Sequence, residues 1–91
     1  MIISFRNRKL KRFFLQAEIR QVGPALASRV EEALDQLDAA RKPEDMNTPG
    51  NDFHSLKGKP KRYSVHVSGN FCITFEWDET DAKRVDLEDY H

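Results

Sequence analysis

A histidine, a lysine and a closing acid–phenol–imidazole triplet carry the proton-transfer and anion-binding chemistry this sequence offers: His54, Lys57 and Asp89-Tyr90-His91. Histidine is the side chain whose unperturbed pKa lets it give and take protons near neutral pH. The sequence stops on that triplet, after a strand-like run, where small domains more often finish in a loop or tail. A site built at the end of a sheet is the sharper reading. A strand that happens to end on polar residues is the plainer one, and the triplet alone favours it. The rest of the chemistry lies in residues 54–77, which hold Lys57, Lys61, Arg62, Asn70 and the single cysteine, Cys72.

Length and composition bound what those residues can belong to. Ninety-one residues suit one domain, spanning 1–91, with a modest core. No apolar run approaches the ~20 residues of a membrane span. The start, Met1-Ile2-Ile3-Ser4-Phe5-Arg6, has no signal-peptide apolar stretch. With one cysteine, neither an intramolecular disulfide nor a cysteine-based zinc site can form. A soluble, cytoplasmic protein is expected. Net charge is zero but unevenly spread. Arg6, Arg8, Lys9, Lys11, Arg12 and Arg20 face only Glu18 in the first twenty residues, and Lys57, Lys59, Lys61 and Arg62 face only Asp52 in residues 51–75. Acidic residues dominate 21–50 and 76–91. A polyanion would feel the basic patches rather than the mean, although a neutral total argues against strong nonspecific nucleic-acid binding.

The elements that must position these groups follow from periodicity. Ile2 and Ile3 open a short strand. Asn7 can cap a helix carrying Leu10, Phe13 and Phe14 at helical spacing, with a basic opposite face. Gly23-Pro24 restarts the chain, and Leu26, Val30, Ala33, Leu34 and Leu37 form one apolar stripe between Ala25 and Ala40. Pro43 prevents continuation, and residues 43–52 read as a loop. The period then changes to two. Tyr63, Val65 and Val67 point one way, Ser64 and His66 the other, with a hairpin turn at Ser68-Gly69. Phe71, Ile73, Phe75 and Trp77 share the core face, which puts Asn70, Cys72, Thr74 and Glu76 on the opposite one. Val85 and Leu87 continue the sheet. The fold class is α+β: a short N-terminal strand, then two helices packed on one face of a small, mainly antiparallel sheet whose other face is polar and available.

Three segments together resemble a known family. They are His54-Ser55-Leu56-Lys57-Gly58, then Tyr63 to Phe75, then Asp89-Tyr90-His91. In order and spacing they are similar to the HigB branch of the RelE/ParE toxins, where the pattern reads roughly H-x-L-K-G, W-S-I-x-V-x-G-N-W-R-I-T-F and a final D-Y-H. The early Ile3-Ser4-Phe5 and the helical Leu34-x-x-Leu37-Asp38-Ala39-Ala40 match as well. The resemblance implies a RelE-like fold and a type II toxin that enters the ribosomal A site and cleaves messenger RNA there. It also implies a HigA-like antitoxin with a helix-turn-helix domain, which holds the toxin inactive and represses the shared operon, so that operator DNA is bound indirectly.

The chemistry asked of the residues can be stated independently. RNA cleavage without a metal or other cofactor needs a group to take the 2′-OH proton, another to protonate the 5′-oxygen, and cations for the charge on phosphorus. His91 can do either proton task, and the resemblance assigns it acid–base work. Lys57 matches a family lysine and would neutralise the phosphate. Tyr90 would stack on or orient a base. Asp89 would hold an imidazole or amide, or act as a weak base. His54 would position substrate or share proton transfer, and Asn70 would hydrogen-bond a base or sugar. Each has a plain alternative: an exposed turn lysine, turn chemistry at Asn70, a sheet-edge tyrosine. His66 reads as surface. The basic helix face, Arg8, Lys9, Lys11 and Arg12, is the candidate contact for ribosomal RNA.

One departure stands out. The family pattern has arginine where this chain has Cys72, between Phe71 and Ile73. A thiol offers neither a permanent charge nor a bidentate fork to an oxyanion. Losing a transition-state contact of that kind costs about 2.7–4 kcal/mol in other enzymes. Arg62 or Lys61 are the cations available to compensate. An attenuated nuclease is therefore expected, with two alternatives: a toxin-like binding module acting mainly with its antitoxin in operon autoregulation, or a ParE-like inhibitor of DNA gyrase. The closing Asp-Tyr-His and Lys57 argue against the last.

Overall fold

A computed structural model describes residues 1–89 of the chain. The expected site residues Tyr90 and His91 lie outside the described residues. Helix α1 (Arg8–Gln16) begins where the sequence supplies a cap: Asn7 Oδ1 accepts the Leu10 N–H at 3.1 Å. Leu10 and Phe13 are buried, while Arg8, Lys9, Lys11 and Arg12 are exposed. Helix α2 (Pro24–Ala39) starts with proline in its first turn and buries Val30, Ala33, Leu34 and Leu37, the stripe read from spacing.

Strands β1 (His54–Leu56), β2 (Arg62–Ser68), β3 (Phe71–Asp78) and β4 (Asp81–Asp89) form one antiparallel sheet in the order β1-β2-β3-β4. Both helices contribute to a core completed by Val65, Val67, Ile73, Phe75, Ala82 and Val85 from one sheet face. Phe53, Tyr63, Phe75 and Trp77 extend that face as a row of aromatic neighbours with ring centroids 5.5–6.3 Å apart. The result is the expected α+β arrangement of two helices against an antiparallel sheet.

Four local expectations change. The N-terminal residues do not make a strand. They touch β4 through two isolated parallel bridges, Ile2–Ala82 and Phe5–Val85, because β4 bulges between them and breaks a continuous ladder. Residues 43–52 are not an open loop. A single 3₁₀ turn, Pro43–Met46, drives Met46 into the core, and Asn51 is buried as a polar hub. Asn51 donates to the Met46 carbonyl at 2.8 Å and to Gln36 Oε1 at 3.0 Å. Its own Oδ1 accepts from Arg29, and its carbonyl accepts the His66 N–H, each at 2.6 Å.

The hairpin turn is Gly69-Asn70, one residue later than expected. Pairing runs His66–Cys72 and then Ser68–Phe71, so an extra residue sits in β2 and shifts the turn, with Gly69 at φ 57 supplying the left-handed position. Asn70 is therefore an exposed turn residue rather than a strand residue on the polar face. That face, in turn, is polar but not bare: Ser64, Thr74 and Glu76 are buried beneath longer charged side chains.

Candidate functional site

Register arranges the polar face in three rows across the strands. Leu56, Arg62, Glu76 and Lys83 form one end row; His54, Ser64, Thr74 and Asp86 the middle; His66, Cys72 and Glu88 the third. Successive rows are about 7 Å apart, two strand residues at ~3.3 Å each. The turn residue Asn70 and the end of β4 lie beyond the third row.

A cleft of about 390 Å³ opens at the first row, lined by Arg6, Lys57, Gly58, Lys59, Pro60, Arg62, Glu76 and Arg84. Five cations surround one carboxylate there. Gly58, at φ 117, makes the turn that sends Lys57 and Lys59 to the same cleft. Lys57 sits just past the end of β1 and Arg62 opens β2, so the hairpin connection that joins them also delivers both charges. Among the described residues, Lys57 and Lys59 take part in no ion pair.

The three arginines of the cleft are each held by a carboxylate. Arg62 pairs with Glu88, whose same oxygen accepts the Thr74 hydroxyl. Its side chain thus spans from the first row towards the third, directly over Thr74. Arg84 Nε lies 3.0 Å from Glu76, and Arg6 Nε lies 4.0 Å from Asp86. Lys61, the other cation weighed as a replacement for the missing arginine, instead sits 6.0 Å over the Tyr63 ring. Only Arg62 of the two faces the cleft.

His54 lies in the middle row at the sheet edge. Its Nε2 is 3.1 Å from Asp52 Oδ1, with both side chains largely exposed (63% and 73%). This carboxylate–imidazole pair orients the ring while leaving it open to substrate. Cys72 is half-buried in the third row. Burial, then the Asp52 and Glu88 carboxylates, push its thiol pKa up. Cys72 is therefore a neutral thiol at physiological pH and has none of the thiolate character a nucleophile needs.

The expected residues are only partly gathered. Lys57 and Arg62 share the cleft, His54 is one row away and Cys72 two. Asp89 pairs with Phe71, on the helix-side face and about 17 Å along β3 from the Glu76 row. Asn70 is at that same far end. Arg8, Lys11 and Arg12 border a separate groove of about 310 Å³ with Leu15 on α1. Lys9 is exposed on the same helix.

Several site residues went unread in the sequence. Asp52 had no periodic signal, because it turns the chain at φ 45 just before β1 rather than extending it. Arg84 and Asp86 flank inward-facing Val85 and so belong outside. Arg6 and Lys59 had no signal beyond charge, because their place depends on tertiary docking.

A family model described as the RelE-like toxin of the type II toxin–antitoxin system HigB matches residues 3–91. A Proteus vulgaris protein named endoribonuclease HigB is 33% identical over 92 aligned residues, covering the whole of both chains. Match and identity both run the length of the fold just described, and the chain belongs to the HigB-like toxins of type II toxin–antitoxin systems.

Proposed function

We propose that this toxin is an endoribonuclease that cuts messenger RNA on the ribosome by metal-independent acid–base chemistry. The observation that carries the reading is the cleft of Lys57, Lys59, Arg62, Arg84 and Arg6 beside the His54–Asp52 pair. The named activity of the Proteus relative agrees with it. In this mechanism the 2′-oxygen attacks the adjacent phosphorus as its proton leaves, and the 5′-oxygen departs as it gains one, leaving a cyclic phosphate. Lys57 and Arg62 carry the charge that builds on the phosphoryl oxygens. His54, oriented by Asp52, and His91 serve the two proton transfers, and Tyr90 stacks against a base. Asn70 borders the path of the strand at the far end of the sheet, while Asp89, on the helix-side face, acts by holding a nearby imidazole or amide rather than by touching the strand.

Membership in a type II system implies an antitoxin partner. We assign that partner a HigA-like helix-turn-helix domain through which the pair represses its operon. Arg8, Lys9, Lys11 and Arg12 on α1 form the face offered to ribosomal RNA. No described helix is long and apolar enough to cross a membrane, and a ribosome-directed toxin would act in the cytoplasm.

A second reading is favoured by one observation. Cys72 stands where the resemblance places an arginine, and burial, with the charges of Asp52 and Glu88, raises its thiol pKa and keeps it neutral. The chain would then be a weakened nuclease serving chiefly as a binding module for its antitoxin. Induced expression separates the two. An active nuclease arrests growth and leaves cuts within translated codons, and Lys57→Ala or His91→Ala abolishes both. Equal toxicity from those variants would remove the assignment. If Cys72→Arg alone is toxic, the binding-module reading is correct for the natural chain.

A further inference from the structure

Arg84 occupies an unusual backbone position. On β3, one residue separates Thr74 from Glu76; on β4, two residues, Arg84 and Val85, separate their partners Asp86 and Lys83. The extra residue is a β-bulge, and Arg84 takes it at φ 50, the left-handed region that favours glycine. Its N–H, no longer available to the ladder, donates to Ser4 Oγ at 2.8 Å. The Ile2–Ala82 and Phe5–Val85 bridges clamp the N-terminal segment on either side of it. A bulge re-aims a side chain, and a non-glycine residue held there against steric preference is a feature of functional sites. Here the re-aimed side chain is 56% exposed and runs into the cleft, its Nε held 3.0 Å from Glu76, whose carboxylate is 10% exposed.

We propose that Arg84 is a phosphate-binding residue of the RNA cleft, aimed by the β4 bulge and positioned by Glu76, and that it supplies from β4 a cation that Cys72 does not supply from β3. This rests on the nuclease reading for its substrate, but the contact itself is to the backbone of a single strand. Glu76 holds the guanidinium through Nε, which leaves the N–H donors on its exposed side for an incoming phosphate, so Glu76 keeps the side chain pointed at the cleft with or without the ligand. Arg6 lines the same wall.

The bulge provides a clean test, because Arg84→Gly removes the charge while giving the backbone the residue its φ prefers. Binding is measured to a 2′-O-methyl oligoribonucleotide, which has no 2′-OH to react, as a function of salt, beside thermal melting and cleavage on ribosomes. Arg84→Gly is expected to melt at or above the wild-type temperature. It should bind at least tenfold more weakly, with the salt slope reduced by ~0.7, one phosphate contact on a single strand. Arg84→Lys should restore the slope but only part of the affinity, since the fork is lost. Glu76→Gln should weaken binding less than Arg84→Gly and leave the slope unchanged. A stable Arg84→Gly protein with wild-type affinity and slope would overturn the proposal, even if the wild type cuts mRNA. Loss of oligonucleotide binding in a chain that cuts nothing on ribosomes would instead overturn the nuclease reading and leave the phosphate contact standing.

Discussion

Cys72 is the residue at which composition and chemistry diverge most. Its thiol lies half-buried, with Asp52 and Glu88 raising its pKa after burial itself. A group whose folded pKa lies above its unfolded value holds its proton longer when folded. The associated stability is therefore present below the ordinary thiol range and is lost as pH rises through it. Cys72 should accordingly react with iodoacetamide at neutral pH more slowly than a free thiol, and Glu88→Gln should speed the reaction. A rate equal to that of an unfolded peptide would refute the assignment. The same two carboxylates would receive a guanidinium well, so Cys72→Arg is expected to fold normally. It should raise RNA cleavage by about 10²-fold, the size of one transition-state contact. An unchanged rate would show that Arg62 already fills the role.

At the scale of elements, the polar face is a lattice in which Arg62–Glu88, Arg84–Glu76 and Arg6–Asp86 hold the cleft arginines in place. Glu88 is the member to remove: Glu88→Gln frees Arg62 and should tighten oligonucleotide binding several-fold, read by titration at fixed salt. Behind that face, Asn51 joins the 3₁₀ turn, α2 and β2 through four partners. Asn51→Ala leaves the Met46 carbonyl without its side-chain donor and takes one partner each from Arg29 and Gln36, and should cost about 2–3 kcal/mol in urea unfolding. It should also loosen β1, and with it His54. A change within about 0.5 kcal/mol of wild type would show that the Asn51 hydrogen bonds do not hold these elements together.

The same elements show what the sequence could reveal. The α2 stripe, the Asn7 cap and the alternation of β2 and β3 are local patterns, and each was legible because burial follows period. The turn at Gly69-Asn70 slipped by one residue because a bulge, which leaves no periodic mark, sits before it. The bulge at Arg84 hid for the same reason. The short β1 has three residues, too few to alternate visibly, and exists because β2 offers it an edge. Asn51 read as loop polarity because three of its four partners, Arg29, Gln36 and His66, are distant in the chain.

Over the whole molecule, charge is segregated although the total is zero. The cationic cleft and the basic groove on α1 are separate surfaces of a body about 31 × 26 × 23 Å across. Binding of messenger RNA in the cleft should therefore be strongly salt-dependent, with Lys57 and Lys59, unpaired among the described residues, meeting phosphate before any arginine is released. The most direct test of the central claim is single-turnover cleavage of an mRNA held in purified, translating ribosomes, compared with the same mRNA free in solution, for the wild type and Lys57→Ala. The account predicts cuts on the ribosome that fall at least 10²-fold in Lys57→Ala at unchanged melting temperature, and none on free RNA. Equal cleavage by wild type and a folded Lys57→Ala protein would contradict it.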